Sequence, residues 1–261
     1  MDQSSPAERR AATRRALVVG GDGEIGSAIS AGLVAEGADV AIASIDPRAA
    51  RELAERLSGN GGRTAAYEMD ITDPESVASV VDDVQASWGG IDVLVNCAGL
   101  LRASSAEDFT PDDWRAVVDV NLTGAFLVSQ AVARLMIKNG EGGRMVHLSS
   151  VRAMTGLALG GFVAYGASKA GVHLLIKQLA TEWGRHGIAV NGVAAGFVRS
   201  ALSAQAMDSG PFAAMVAART PLGRVAEVAE IADAALFLAG PRSSFVNGQV
   251  LVVDGGLSAS Q

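Results

Sequence analysis

The run Ala16-Leu17-Val18-Val19-Gly20-Gly21-Asp22-Gly23-Glu24-Ile25-Gly26 decides the architecture of this chain. Four apolar residues suit a buried strand, and residues 25–35 carry a helical period, so the glycines fall in the turn between the two. Glycine there lets the backbone bend sharply and approach a pyrophosphate, while the open N–H groups of a helix start favour negative charge. A glycine cluster elsewhere would read as a tight turn; between a first strand and a first helix it points to a dinucleotide.

Outward from that run the same alternation continues. Residues 39–43, 64–67, 93–95, 144–148, 189–193 and 250–253 read as further strands. Residues 47–57, 74–88, 111–139, 165–185 and 228–239 read as helices, and Pro47, Pro74 and Pro111 stand where proline suits a first helical turn. Strand and helix in strict alternation imply an α/β fold: one doubly wound parallel sheet of about seven strands with helices on both faces. Residues 1–12 read as a flexible tail and residues 13–261 as one domain. The stretch at about 200–220, with Met207, Phe212 and Met215 among small residues, reads as a helical insertion that could close over a pocket.

The bulk properties set outer limits. Of 261 residues, 49% are hydrophobic and 19% charged, which suits a folded domain with a sizeable core. A net charge of -7 argues against nucleic acid or an acidic membrane surface as partner. No apolar run approaches the ~18 residues that span a bilayer. The single cysteine, Cys97, cannot form an internal disulfide, so a cytoplasmic setting is expected. His147, His173 and His186 have no metal-ligand spacing, and no metal is expected.

The chain has only two tyrosines, yet Tyr165 precedes Lys169 by four positions in Tyr165-Gly166-Ala167-Ser168-Lys169. On a helix that spacing puts phenol and ammonium on one face, one turn apart, where the cation would favour the phenolate. A phenol titrating near ~10 needs such help to exchange protons at neutral pH. Asp70 could accept from an adenine amine. Asn96-Cys97-Ala98-Gly99 ends the fourth strand where an open α/β sheet forms its ligand crevice.

With these motifs in order, the chain resembles the short-chain dehydrogenase/reductase family, in the compact subgroup of 3-oxoacyl-carrier-protein reductases and sugar or polyol dehydrogenases. The resemblance runs from about residue 15 to 258. It rests on the glycine turn, Asp70, Asn96 to Gly99, Asn121 in Val120-Asn121-Leu122-Thr123-Gly124, Ser149-Ser150, Tyr165 with Lys169, Asn191, Pro221-Leu222-Gly223-Arg224, and the ending Asp254-Gly255-Gly256. It implies an NAD(P)-dependent oxidoreductase that interconverts a secondary alcohol and a ketone. Tyr165 is then the general acid/base, Lys169 lowers the phenol's pKa and holds the nicotinamide ribose, and Ser150 binds the reacting oxygen. Asn121 disturbs its helix and holds a water that links Lys169 to solvent. The cofactor set is Gly20, Asp22, Gly23, Glu24, Ile25, Gly26, Ser44, Ile45, Asp70, Ile71, Asn96, Ala98, Gly99, Tyr165, Lys169, Gly196, Val198 and Ser200. A homotetramer is the family's usual assembly.

Some positions depart from the family pattern. The glycines fall at 20, 23 and 26, with Glu24 where the family has glycine, and the acid must face solvent to tolerate a pyrophosphate. Ser44 stands where NAD users carry an acid and Ile45 where NADP users carry an arginine. A 2′-phosphate would meet Asp46 and Glu24 with only Arg48 nearby in sequence, which favours NAD. A second reading is a non-catalytic dinucleotide-binding sensor or scaffold, and a third is an epimerase or dehydratase, suggested by the glycine spacing. Leu100, Leu101, Leu157, Phe162, Met207 and Phe212 are expected to line the substrate pocket, with Arg102 or Arg152 available to an anionic group.

Overall fold

The computed structural model describes residues 13–156, 161–199 and 210–260, apart from the side chains of Pro211 and Phe212. Its strands are β1 (Arg15–Val19), β2 (Asp39–Ser44), β3 (Thr64–Glu68), β4 (Val93–Asn96), β5 (Gly143–Ser150), β6 (Ile188–Ala195), β7 (Val198–Arg199), β8 (Ala226–Glu227) and β9 (Val250–Val253). Seven of them form one parallel sheet in the order β3-β2-β1-β4-β5-β6-β9. The chain winds outward from β1 to β3, then crosses back to β4 on the other side of β1. That reversal opens a crevice at the carboxyl ends of β1 and β4, where ligands bind in such sheets.

Helices α1 (Glu24–Ala35), α2 (Pro47–Leu57), α3 (Pro74–Trp88), α4 (Pro111–Val118), α5 (Gly124–Asn139) and α6 (Val163–Trp183) cover the sheet, together with the helices Gly210–Arg219 and Val228–Ala239. Three starts share one device: proline in the first turn behind a capping oxygen. Asp46 accepts from the Arg48 and Ala49 N–H groups, Asp73 from Glu75 and Thr110 from Asp113. The alternation along β1 splits the core into two layers. Leu17 and Val19 face α3, α5 and α6 on one side, while Ala16 and Val18 face α1, α2 and the helix Val228–Ala239 on the other.

The strands run up to two residues beyond their sequence-based ends, because backbone pairing continues where the apolar pattern fades. The parallel pair β7 and β8 went unforeseen, being two residues each, too short to show a period. Residues 111–139 are not one regular helix. A π turn, Asp119–Thr123, separates α4 from α5, with buried Asn121 at its centre, which bears out the expected disturbance. The stretch Pro111–Asn139 is long and apolar enough to cross a membrane by length and composition. In this fold Val128, Val132 and Met136 of that stretch are buried in the core, while Trp114, Phe126 and Ile137 are exposed.

Candidate active site

The crevice is built first from the glycine turn. Gly20 and Gly21 donate their N–H groups to the Ala43 carbonyl at 2.8 and 3.3 Å, pinning the turn to β2. Gly20 has φ 66°, a left-handed conformation that suits glycine, and a Cβ there would stand 2.8 Å from the Ala98 nitrogen. A Cβ on Gly26 would stand 2.2 Å from the Gly20 carbonyl oxygen, so α1 begins pressed against the turn. Gly23 caps α1 without any side-chain hydrogen bond, which leaves the first-turn N–H groups of Ile25 and Gly26 to a ligand. Such a cradle fits a dinucleotide pyrophosphate. Glu24 is exposed in that first turn, where an acid complements the helix dipole.

Other predicted cofactor residues ring the same crevice. Ser44 is 4% exposed and its hydroxyl accepts the Asp46 N–H at 3.0 Å, while Ile45 is 72% exposed beside it. One Asp70 oxygen accepts both the Thr72 N–H and its hydroxyl, and the other makes no hydrogen bond among the described residues. Ile71 is buried against Gly124. The Asn96 Oδ1 accepts the Ala98 N–H at 3.1 Å and shapes the turn after β4. A Cβ on Gly99 would lie 3.6 Å from both Asn121 Oδ1 and Lys169 Nζ, so this turn meets the catalytic end of the site. Val198 lies in β7; Ser200 is outside the described residues.

At the end of β5, Ser149 and Ser150 point apart, as neighbours on a strand must. Ser149 is buried without a hydrogen-bond partner, whereas Ser150 lines a pocket with Leu101, Val151, Arg152, Phe162, Tyr165, Gly196 and Phe197. The Ser150 Oγ accepts the Arg152 N–H at 3.2 Å, and the serine hydroxyl works against the rise of the Tyr165 phenol. Tyr165 sits in the first turn of α6, with Lys169 one turn on. The Lys169 ammonium is 4% exposed, donates to the Leu148 carbonyl at 3.0 Å and stands 5.8 Å from the centroid of the Tyr165 ring.

The electrostatics add one residue to the sequence reading. Burial pushes the Tyr165 phenol above its ordinary value, and Ser150 and the charge of Arg152 pull it back. Lys169 is directed at the backbone of β5, and burial brings its own ammonium down to about 8. Arg152 could not be foreseen as the phenol's charge partner, because it lies thirteen positions away.

Asn121 is likewise committed to protein groups: its amide bonds to the Leu100 backbone and donates to the Ser168 hydroxyl. Of the expected pocket residues, Leu101 and Phe162 line it, while Leu100 does not, its backbone being held by that amide. Leu157 and Met207 lie outside the described residues, as does the Phe212 side chain. Arg102 stands 3.8 Å from Asp113 and is absent from the pocket wall; Arg152 is the arginine that reaches it. Phe197 was missed, since one aromatic residue after Gly196 carries no signal of its own. No group of histidine, cysteine and carboxylate residues that could hold a metal occurs among the described residues.

A family model described as Enoyl-(Acyl carrier protein) reductase matches residues 21–258. The chain belongs to the short-chain dehydrogenase/reductase family. It is 37% identical over 246 residues to gluconate 5-dehydrogenase of Gluconobacter oxydans, covering 94% of this chain and 95% of that protein. It is 40% identical over 241 residues to D-threitol dehydrogenase of Mycolicibacterium smegmatis, covering 92% and 91%. The crystal structure of a gluconate 5-dehydrogenase from Burkholderia cenocepacia, in complex with NADP and tartrate, superposes with a TM-score of 0.89 at 38% identity, covering 95% of this chain and 96% of that one. This short-chain dehydrogenase/reductase is accordingly an NAD(P)-dependent oxidoreductase that interconverts alcohols and ketones.

Proposed function

We propose that Tyr165, Ser150, Lys169 and Asn121 carry the alcohol–ketone interconversion. Ser150 and Tyr165 lining one open pocket, with Lys169 one helical turn on, is the observation that carries this reading. When bound, the dinucleotide supplies or accepts the hydride. Tyr165 gives its proton to the carbonyl oxygen during reduction and takes it from the hydroxyl during oxidation. Ser150, fixed by the Arg152 N–H, holds that oxygen beside the phenol. Lys169 is placed to hold the nicotinamide ribose, and Asn121 to keep the β4 turn against α6, with a water completing the proton path to solvent. Gly20, Gly23, Ile25 and Gly26 would cradle the pyrophosphate, Asp70 and Ile71 the adenine, and Gly196, Val198 and Ser200 the nicotinamide amide. A non-catalytic sensor would have no use for a serine and a tyrosine facing one pocket beside a buried lysine.

NAD is the preferred dinucleotide in this reading. Asp46, exposed at the start of α2, and the uncharged Ser44 and Ile45 offer a 2′-phosphate little attraction, with Arg48 the cation nearest in sequence. The relative from Burkholderia cenocepacia holds NADP, so the ratio of kcat/KM for the two cofactors is the decisive comparison. Assembly as a homotetramer is supported by apolar side chains left exposed on α5, α6 and β9: Phe126, Leu174, Leu251 and Val252. Sedimentation velocity tests it. A cytoplasmic location follows from the same family reading and the lone cysteine. Polyols, sugar acids and their ketones, screened with NAD and NADP at the absorbance of the reduced cofactor, test the activity itself. Turnover of at least one pair supports the reading, and none in either direction contradicts it.

A further inference from the structure

We infer that Arg152 forms a subsite for a carboxylate on the substrate, so that the preferred alcohol is a hydroxy acid rather than a neutral polyol. This rests on the alcohol–ketone reading above and sharpens its substrate class.

Arg152 lies in the pocket wall, two residues beyond Ser150 and in electrostatic reach of Tyr165, so any group it binds belongs to the reacting molecule. Its guanidinium is already oriented. One nitrogen donates to the Gly156 carbonyl at 2.8 Å, and the plane lies over the Phe197 ring at 5.6 Å from the centroid. A guanidinium carries five N–H donors, so one bond to a carbonyl leaves most of the fork open to an acceptor. Carboxylate is the acceptor whose two oxygens match that fork.

The charge balance around it points the same way. The chain carries 28 acidic residues against 21 basic ones, yet among the described residues Arg152 has no ion-pair partner. Arg102, Arg115, Arg199 and Arg224 each have one. Arg152 stands half-buried at the pocket wall, where loss of water disfavours its charge, and an anion bound to the fork offsets that cost. A neutral polyol would not.

The test measures binding rather than turnover. D-gluconate and D-glucitol share a six-carbon polyhydroxy chain and differ in bearing a carboxylate or a hydroxymethyl group. Each is titrated calorimetrically into the protein saturated with reduced dinucleotide, which blocks oxidation. The wild type should bind gluconate at least about tenfold more tightly than glucitol, the effect of one charge-assisted contact. Arg152→Gln should bring that ratio close to one, and Arg152→Lys should retain part of it; near-ultraviolet circular dichroism confirms the fold of each variant. Equal binding of both probes, absence of gluconate binding, or an unchanged ratio in Arg152→Gln overturns the subsite. Inorganic phosphate serves as a third probe, and displacement of gluconate by much less phosphate than gluconate itself overturns the carboxylate assignment. An enzyme that oxidises glucitol without favouring gluconate keeps the alcohol–ketone reading and loses only the subsite, whereas failure to turn over any alcohol falls on the former alone.

Discussion

Asn121 grips the backbone of Leu100 at both of its polar groups: Oδ1 accepts the Leu100 N–H at 2.7 Å, and Nδ2 donates to the Leu100 carbonyl at 2.9 Å. The other Nδ2 hydrogen goes to the Ser168 hydroxyl at 3.0 Å, one residue before Lys169. A single buried amide in a π turn therefore ties the turn after β4 to the catalytic helix.

Asn121→Ala leaves the Leu100 N–H and carbonyl without their partner in a part-buried place. A loss of about 1–3 kcal/mol in unfolding free energy is expected, the cost of unmet polar groups with some access to water. Urea denaturation measures it, and stability equal to wild type would show that the clamp is dispensable.

Gly26→Ala places a methyl 2.2 Å from the Gly20 carbonyl oxygen, a backbone atom that cannot step aside without moving the turn. Dinucleotide affinity should fall by about tenfold or more, since the N–H groups of the turn lose their alignment. Titration of NADH fluorescence reads this directly, and an unchanged Kd would mean that the turn does not hold the pyrophosphate.

His147 predicts an acid-side loss of stability. It is buried in β5, its Nε2 meets the Ser129 hydroxyl at 3.1 Å, its Nδ1 has no partner, and burial brings it down to about 4, with the Lys169 charge acting in the same direction. The unfolded chain, titrating near ~6.5, binds the proton first, so stability falls as pH drops from there toward 4. Between pH 7 and 5 the wild type should lose about 2 kcal/mol more than His147→Gln, at roughly 1.4 kcal/mol per pH unit inside that window. Parallel losses in the two proteins would place the titrating group elsewhere.

Arg152 also sets the pH at which Tyr165 works. Burial raises the phenol and the Arg152 charge opposes that rise, so Arg152→Gln should move the phenol further upward. Oxidation needs the phenolate, and the rising limb of its kcat/KM profile should therefore shift to higher pH, while reduction should keep its rate to higher pH. A limb that stays in place would separate Arg152 from the proton transfer.

The fold was legible because every central strand is a short apolar run and three of the helices announce themselves by an acid or threonine before proline. The disturbance at Asn121 was legible too, as a poor helix former inside a long helical pattern. Its partners were not, because Leu100 is met through its backbone, which has no sequence signature. Ser149 and Ser150 are chemically identical, and only the family resemblance and then the pocket distinguish them. Arg102 and Arg152 looked equivalent until Asp113 was found beside the first. The spacing of Tyr165 and Lys169 was legible and brings the ammonium near the ring, whereas its bond to the Leu148 carbonyl has no sequence signature.

Tyr165→Phe is the most direct test, because it removes one oxygen and leaves the ring in its place on α6. The proposed mechanism predicts a fall in kcat/KM of about 10²–10⁴-fold in both directions, the range for losing a positioned acid/base. Reduced-cofactor affinity should stay within about threefold of wild type, because the ring and Lys169 remain. Turnover at the wild-type rate with intact cofactor binding would contradict the account.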